Sequence, residues 1–178
     1  MTAILGYADG KNVWIAGDSG AMNGGWQRFT VRERKVWRSG EMLIGCCGRW
    51  AVSQLLQSLF LPPEQKAGVT DIFYLYGWFI PALKAFLEEY KTPMANDETT
   101  TGLIIGYHGT LYHIDSYFNT NAIEPQLVAD GAGGDLAKGA FEACRMNALS
   151  VEGSMLKALE IAGRHNLTVA PPYYVEMI

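Results

Sequence analysis

An alcohol is a poor nucleophile at neutral pH and needs a base within hydrogen-bond reach. Thr2 can meet that need within one residue, because removal of Met1 would leave its hydroxyl and a free α-amine on adjacent carbons. An N-terminal threonine amine acting as base is one known solution. A carboxylate, Asp18, follows sixteen residues later beside Gly17, at the end of "MTAILGYADGKNVWIAGDSG". The segments Thr2 to Ala8 and Asn12 to Gly17 read as short apolar strands, and the Asp9-Gly10 pair between them is a strong hairpin signal. Folding back at that turn would bring Thr2 and Asp18 together on neighbouring antiparallel strands.

The elements that must hold this pair follow in order. Gly20 to Gln27 is expected as a loop, and Phe29 to Arg38 carries a basic run, "RERKVWR", that reads as a solvated strand or loop face. Met42 to Cys47 is a short apolar strand running into "GCCGR". Arg49 to Phe60 has helical spacing, with Val52, Leu55, Leu56 and Leu59 on one face, and Pro62-Pro63 stops it. A second helix is expected over Asp71 to Tyr90, bent or restarted near Pro81. Its run from Ile72 to Leu83 is apolar all round and too short to span a membrane, which suggests a buried helix with a subunit contact.

Thr101 to Tyr107 and Thr110 to Ser116 read as strands across a His-Gly turn, followed by an extended segment, Ala122 to Val128. The glycine-rich "DGAGGD" opens a helix ending near Asn147, Ser150 opens another to about His165, and "YYVEMI" is a last strand. Strands, two helices, strands, two helices, strand do not alternate as β-α-β units. The order predicts an α+β fold in which two face-to-face antiparallel sheets, each covered by a helix pair, form a four-layer α-β-β-α sandwich.

Length and composition narrow the function. The 178 residues suit a single domain spanning 1–178, with 49% hydrophobic and 18% charged residues. A net charge of −4 offers no electrostatic case for nucleic acid or an anionic membrane. Asp9 and Lys11 interrupt the early apolar run, so no signal peptide is expected. Cys46, Cys47 and Cys144 read as small core residues of a reducing, cytoplasmic protein. Neither they nor His108, His113 and His165 have metal-ligand spacing, and no cofactor or metal is expected. There is no GxSxG elbow, no histidine precedes Ser19 of "GDSG", and no phosphate-binding loop is present.

Taken in order, "MT" before an apolar strand, "VWIAGDSGA", "RKVWRSGEMLIGCCG", "GLIIGYHGTLYHID", "ADGAGGDLAKGAFEA" and "ALEIAGR" resemble the proteasome β-subunit and its bacterial relative, the HslV-type peptidase. The resemblance covers nearly the whole length. It implies an N-terminal nucleophile hydrolase fold, a homo-oligomeric ring, unfolded polypeptide as substrate, and an AAA+ ATPase unfoldase as partner. Carried over by residue, Thr2 is the nucleophile, Lys35 the catalytic lysine with Arg34 as the alternative, Asp18 its partner, and Gly45 the oxyanion donor.

A cation beside the α-amine would favour the amine's neutral, proton-accepting form. Ala21, Met22 and Leu43 are the candidates to border a pocket for a small or apolar side chain. Three positions depart from the family pattern: Ala132 stands where a serine is usual, and Asn166 and Val169 where the proteasome has aspartate and serine. Two other readings use the same scaffold, a noncatalytic structural subunit and a small-molecule amidase.

Overall fold

The computed structural model describes residues 2–23, 27–92 and 101–178, so Met1, whose removal is an expectation of the sequence, lies outside the described residues. The hairpin forms where the Asp9-Gly10 pair places it. Strands β1 (Ile4–Ala8) and β2 (Val13–Gly17) pair antiparallel with Ile4 opposite Gly17, and the Asp9 carboxylate accepts from the Lys11 and Asn12 N–H groups across the turn. That register sets Ala3 against Asp18, whose N–H donates to the Ala3 carbonyl at 3.3 Å.

Two sheets result. The first has the order β10-β1-β2-β11, with β10 at Leu127–Asp130 and β11 at Tyr174–Met177. The second has the order β5-β6-β7-β8-β9, from Val36–Ser39, Met42–Cys47, Gly102–Tyr107, Thr110–Ile114 and Thr120–Ala122. All described pairings within the two sheets are antiparallel.

Alternation along the strands builds the layers. Ile4, Leu43 and Ile104 point between the sheets and join Val13, Ile15 and Leu111 there. Their neighbours Leu5, Ile44 and Ile105 point outward. Leu5 packs with Phe141 and Leu159 of α4 (Gly134–Met146) and α5 (Val151–His165). Ile44 and Ile105 pack with residues of α1 (Trp50–Leu59), α2 (Asp71–Tyr74) and α3 (Ile80–Glu89), among them Val52, Tyr74 and Leu83. The molecule is therefore the expected four-layer α-β-β-α sandwich. A buried Leu or Ile contributes about 1.5–3 kcal/mol, and a one-residue slip of β1 would exchange both of its faces. The same burial that stabilises β1 thus holds Thr2 opposite the Asp18 end of β2.

Three expectations need revision. Gly20 to Gln27 is not simply a loop: β3 (Gly20–Asn23) and β4 (Gln27–Thr30) pair as a separate two-stranded ribbon. Every residue of β4 is exposed, so it has no apolar alternation to read. The extended segment after β8 divides between the sheets, β9 going to the second and β10 to the first. Between α2 and α3 the helix widens into a π-helical turn, Leu75–Phe79, which is the form taken by the bend or restart expected near Pro81. Among the described residues, no helix is long and apolar enough to cross a membrane.

Candidate active site

The chain brings Thr2, Asp18 and Lys35 into one buried cluster, each 3% exposed or less. Lys35 immediately precedes β5, and its carbonyl accepts from Cys46 N–H at 2.9 Å, which anchors its backbone on β6. Its ammonium donates to Thr2 Oγ1, to Asp18 Oδ1 at 2.9 Å and to the Gly20 carbonyl at 2.5 Å. Adjacent residues of an extended segment point to opposite sides. Arg34 accordingly turns outward, pairs with Glu176 and lies over the Tyr174 ring. The geometry favours Lys35 over Arg34 as the cation beside Thr2.

Asp18 is braced chiefly by main-chain donors. Oδ1 accepts from Ala3 N–H at 3.0 Å as well as from Lys35, and Oδ2 accepts from Gly20 N–H at 2.7 Å and Ala170 N–H at 3.1 Å. A buried carboxylate with four donors stays oriented toward the ammonium. Burial nevertheless pushes Lys35 below its ordinary value, against the opposing pull of Asp18. The result is a lysine closer to neutrality than a surface lysine, in contact with a hydroxyl oxygen. Such a group stabilises negative charge on that oxygen and eases proton movement around it.

The main chain of Thr2 is held from the other side by the turn leading into α4. Gly133 N–H donates to the Thr2 carbonyl at 3.0 Å. Gly131 has φ +87°, and a Cβ there would lie 2.4 Å from the Thr2 oxygen, so only glycine admits this approach. Ala132 presents a methyl group, and its carbonyl accepts from Asn166 Nδ2 at 2.7 Å. Asn166 Oδ1 in turn accepts from the Thr168 N–H and hydroxyl. Val169 is buried in the apolar cluster that contains Ala3. The three departures from the family pattern therefore brace backbone around the site.

Two expected site residues fall elsewhere. Gly45 lies in mid-strand, opposite Val36 on one side and Ile104 on the other. Because Cys46 N–H faces β5, ladder alternation directs Gly45 N–H toward β7, where it cannot reach a substrate oxygen. What requires glycine here is packing: a Cβ would lie 2.7 Å from Ile4 Cγ2 and 2.8 Å from Ile15 Cγ2. Leu43, wholly buried between the sheets, is core and borders no substrate pocket.

Ala21 and Met22 are half-buried on β3, just past the Gly20 carbonyl that Lys35 holds. Gly48, which the sequence did not single out, is exposed where β6 ends and has φ +112°. Sequence reasoning also missed the donors Ala3 and Ala170. Ser19 is fully buried and donates its hydroxyl to the Pro172 carbonyl at 2.6 Å, which leaves it no role as a nucleophile.

A cleft of about 860 Å³ lies at the opposite end of the second sheet, near Met42 and Tyr107. Polar groups on its wall bond one another: Tyr107 donates to Gln65, and Gln65 and His108 both contact Asp71. This cleft is lined by none of Thr2, Asp18 and Lys35.

No protein-family model matches the chain, and no curated protein matches it in sequence. Solved structures do. Thiobacillus denitrificans BPH in complex with epoxomicin superimposes with a TM-score of 0.80 at 19% identity, over 99% of this chain and 97% of that one. Eukaryotic HslV from Trypanosoma brucei gives 0.68 at 23% identity, over 98% of each chain. The Anbu complex from Pseudomonas aeruginosa, described as a helical assembly, gives 0.67 at 16% identity, over 99% of this chain and 80% of that one. The fold is that of the proteasome-like N-terminal nucleophile hydrolases.

Proposed function

We propose that the chain is a threonine peptidase subunit whose nucleophile is Thr2, exposed by removal of Met1. The observation that carries this reading is the Lys35 ammonium, bonded at once to Thr2 Oγ1 and to the Asp18 carboxylate in a buried setting. In the proposed reaction Thr2 Oγ attacks the scissile carbonyl carbon as its proton passes to the Thr2 α-amine. Lys35 supports negative charge on Oγ and favours the neutral amine.

Gly48 N–H, at the open end of β6, is the proposed donor to the tetrahedral oxyanion. Such donors have been worth about 3–4 kcal/mol in other enzymes. The amine then returns the proton to the leaving nitrogen, the peptide bond breaks, and an ester to Thr2 remains. Water, deprotonated by the same amine, attacks the ester, and the restored hydroxyl and a free carboxylic acid complete the turnover.

Assembly is part of the proposal. Leu59, Leu61, Phe73 and Tyr76 are each more than half exposed. This apolar surface near α1 and α2 supports a subunit contact in a closed oligomer acting on unfolded chains delivered by an ATPase. A noncatalytic subunit is the second reading, favoured by Ala132, which offers no side-chain hydroxyl where the family usually has serine.

Intact mass of the assembled protein tests both. Loss of Met1, labelling by epoxomicin, and loss of labelling and peptide hydrolysis in Thr2→Ala are the expected results. Retained Met1 in the assembled protein, or hydrolysis surviving Thr2→Ala, would overturn the peptidase reading. Cleavage of small amides but not of peptides would instead identify an amidase.

A further inference from the structure

Asp130 ends β10 in the first sheet, yet its carboxylate reaches the second. Oδ1 accepts from Gly131 N–H at 2.6 Å, and Oδ2 lies 3.1 Å from His113 Nε2 on β8. The Cys47 thiol at the end of β6 lies on the same side, since a Cβ on Gly102 would be 3.3 Å from its sulfur. Gly102 on β7 makes room for it, since a Cβ there would lie 2.1 Å from Asp130 Oδ2. Three strands of the second sheet thus accommodate one side chain from the first. A carboxylate serving only its own turn would need the Gly131 bond alone.

The next residues show what this reach achieves. Gly131 is the residue whose backbone touches the Thr2 carbonyl, and Gly133 N–H bonds that carbonyl. We propose that Asp130 is a positioning residue for the nucleophile, a strut between the sheets that fixes the Gly131–Gly133 turn on the Thr2 main chain. Cys47, near this carboxylate at the end of β6, stands one residue before Gly48. Burial opposes the charge on Asp130, but His113, Cys47 and Gly131 together outweigh it and hold the carboxyl below its ordinary range. It is an anion wherever the peptidase would work. The catalytic part of this inference rests on the reading of Thr2 as nucleophile, whereas the mechanical part does not.

The test compares Asp130→Ala, Asp130→Asn, His113→Ala and His113→Gln with the parent in two measurements. Hydrogen exchange at the Gly131 and Gly133 amides reads the clamp directly and is independent of activity. The rate of covalent labelling by epoxomicin, separated into its saturating rate and half-saturating concentration, reads the alignment of Thr2.

Asp130→Ala and His113→Ala are expected to speed exchange at both amides at least tenfold. They should lower the saturating labelling rate by a similar factor and leave the half-saturating concentration within threefold. Asn keeps an acceptor for Gly131, and Gln keeps a donor toward the carboxylate, so these variants should recover most of both signals. If Asp130→Ala does not fold, Gly102→Ala displaces the carboxylate without removing it and should reproduce the pattern. Exchange and labelling within twofold of the parent in folded variants would overturn the strut. A parent that epoxomicin does not label defeats the peptidase reading, and amide exchange alone then decides the strut.

Discussion

Replacing Asp18 with asparagine removes one charge and almost no volume, and its cost can be worked out from the donors around it. Four donors converge on the carboxylate: Ala3 N–H and Lys35 Nζ on Oδ1, and Gly20 N–H and Ala170 N–H on Oδ2. Asparagine offers one acceptor oxygen and a donor amide. Whichever way it flips, its NH2 group faces two donors, although the Lys35 ammonium keeps Thr2 Oγ1 and the Gly20 carbonyl as acceptors. Either the two backbone groups or the ammonium and Ala3 lose their partner. Removing one member of a buried ion pair costs about 3–5 kcal/mol, and total stabilities run to about 5–15 kcal/mol.

For a chain of this length that loss lowers the melting temperature by about 6–20 °C. Urea unfolding of Asp18→Asn, Lys35→Met and the double variant, at one protein concentration, measures it. The double variant should fall short of the summed single losses by about 1.5–3 kcal/mol, because Lys35→Met removes the charge that Asp18→Asn strands. Additive losses, or an Asp18→Asn loss below about 1 kcal/mol, would refute the four-donor account.

Three further outcomes are expected. Gly45→Ala should cost about 1–3 kcal/mol in urea unfolding, because its Cβ meets Ile4 and Ile15 at under 3 Å where the sheets pack. Leu43→Ala should cost about 2–5 kcal/mol as a core truncation. Met22→Ala, half-buried beside the site, should leave stability nearly unchanged and alter the preferred side chain in a peptide-library digest. The folded protein releases the Lys35 proton at lower pH than the unfolded chain, whose lysines titrate near 10.5. Across that window the unfolded chain binds more protons, so stability should rise with pH toward 10.5 and lose part of that rise in Lys35→Met, read from urea midpoints.

The four layers were legible because the central strands of the two sheets carry continuous apolar runs, as in Met42–Cys47 and Gly102–Tyr107, and the longer helices an apolar stripe, whereas β9, Thr120–Ala122, carries neither signal. Asp9-Gly10 fixed the first register, and with it the placing of Ala3, the residue after Thr2, against Asp18. What could not be read was parity, the side to which a given residue of an extended segment points. Arg34 and Lys35 are equivalent as cations one position apart, and only their order relative to β5 decides which one enters the site. The Gly45 assignment failed for the same reason, because a glycine codon pattern does not say whether its N–H is spent on the neighbouring strand. Main-chain donors such as Ala3 and Ala170 leave no mark in side-chain identity at all.

Parity also explains why the departures at Ala132, Asn166 and Val169 are compatible with a complete nucleophile cluster. The groups that position Thr2 and Asp18 from this region are the N–H groups of Gly133 and Ala170, which any residue other than proline supplies. What the side chains must do is hold those amides in place, and here Asn166 bonded to the Ala132 carbonyl, and Val169 packed in the cluster around Ala3, do so. The one contribution they cannot make is a hydroxyl beside the Thr2 amine. A missing hydrogen bond of that kind is worth about 0.5–1.5 kcal/mol, roughly a factor of 2–13 in rate. If Thr2 is the nucleophile as proposed, the departures slow the reaction, and Ala132→Ser should raise the hydrolysis rate within that range in a peptide assay.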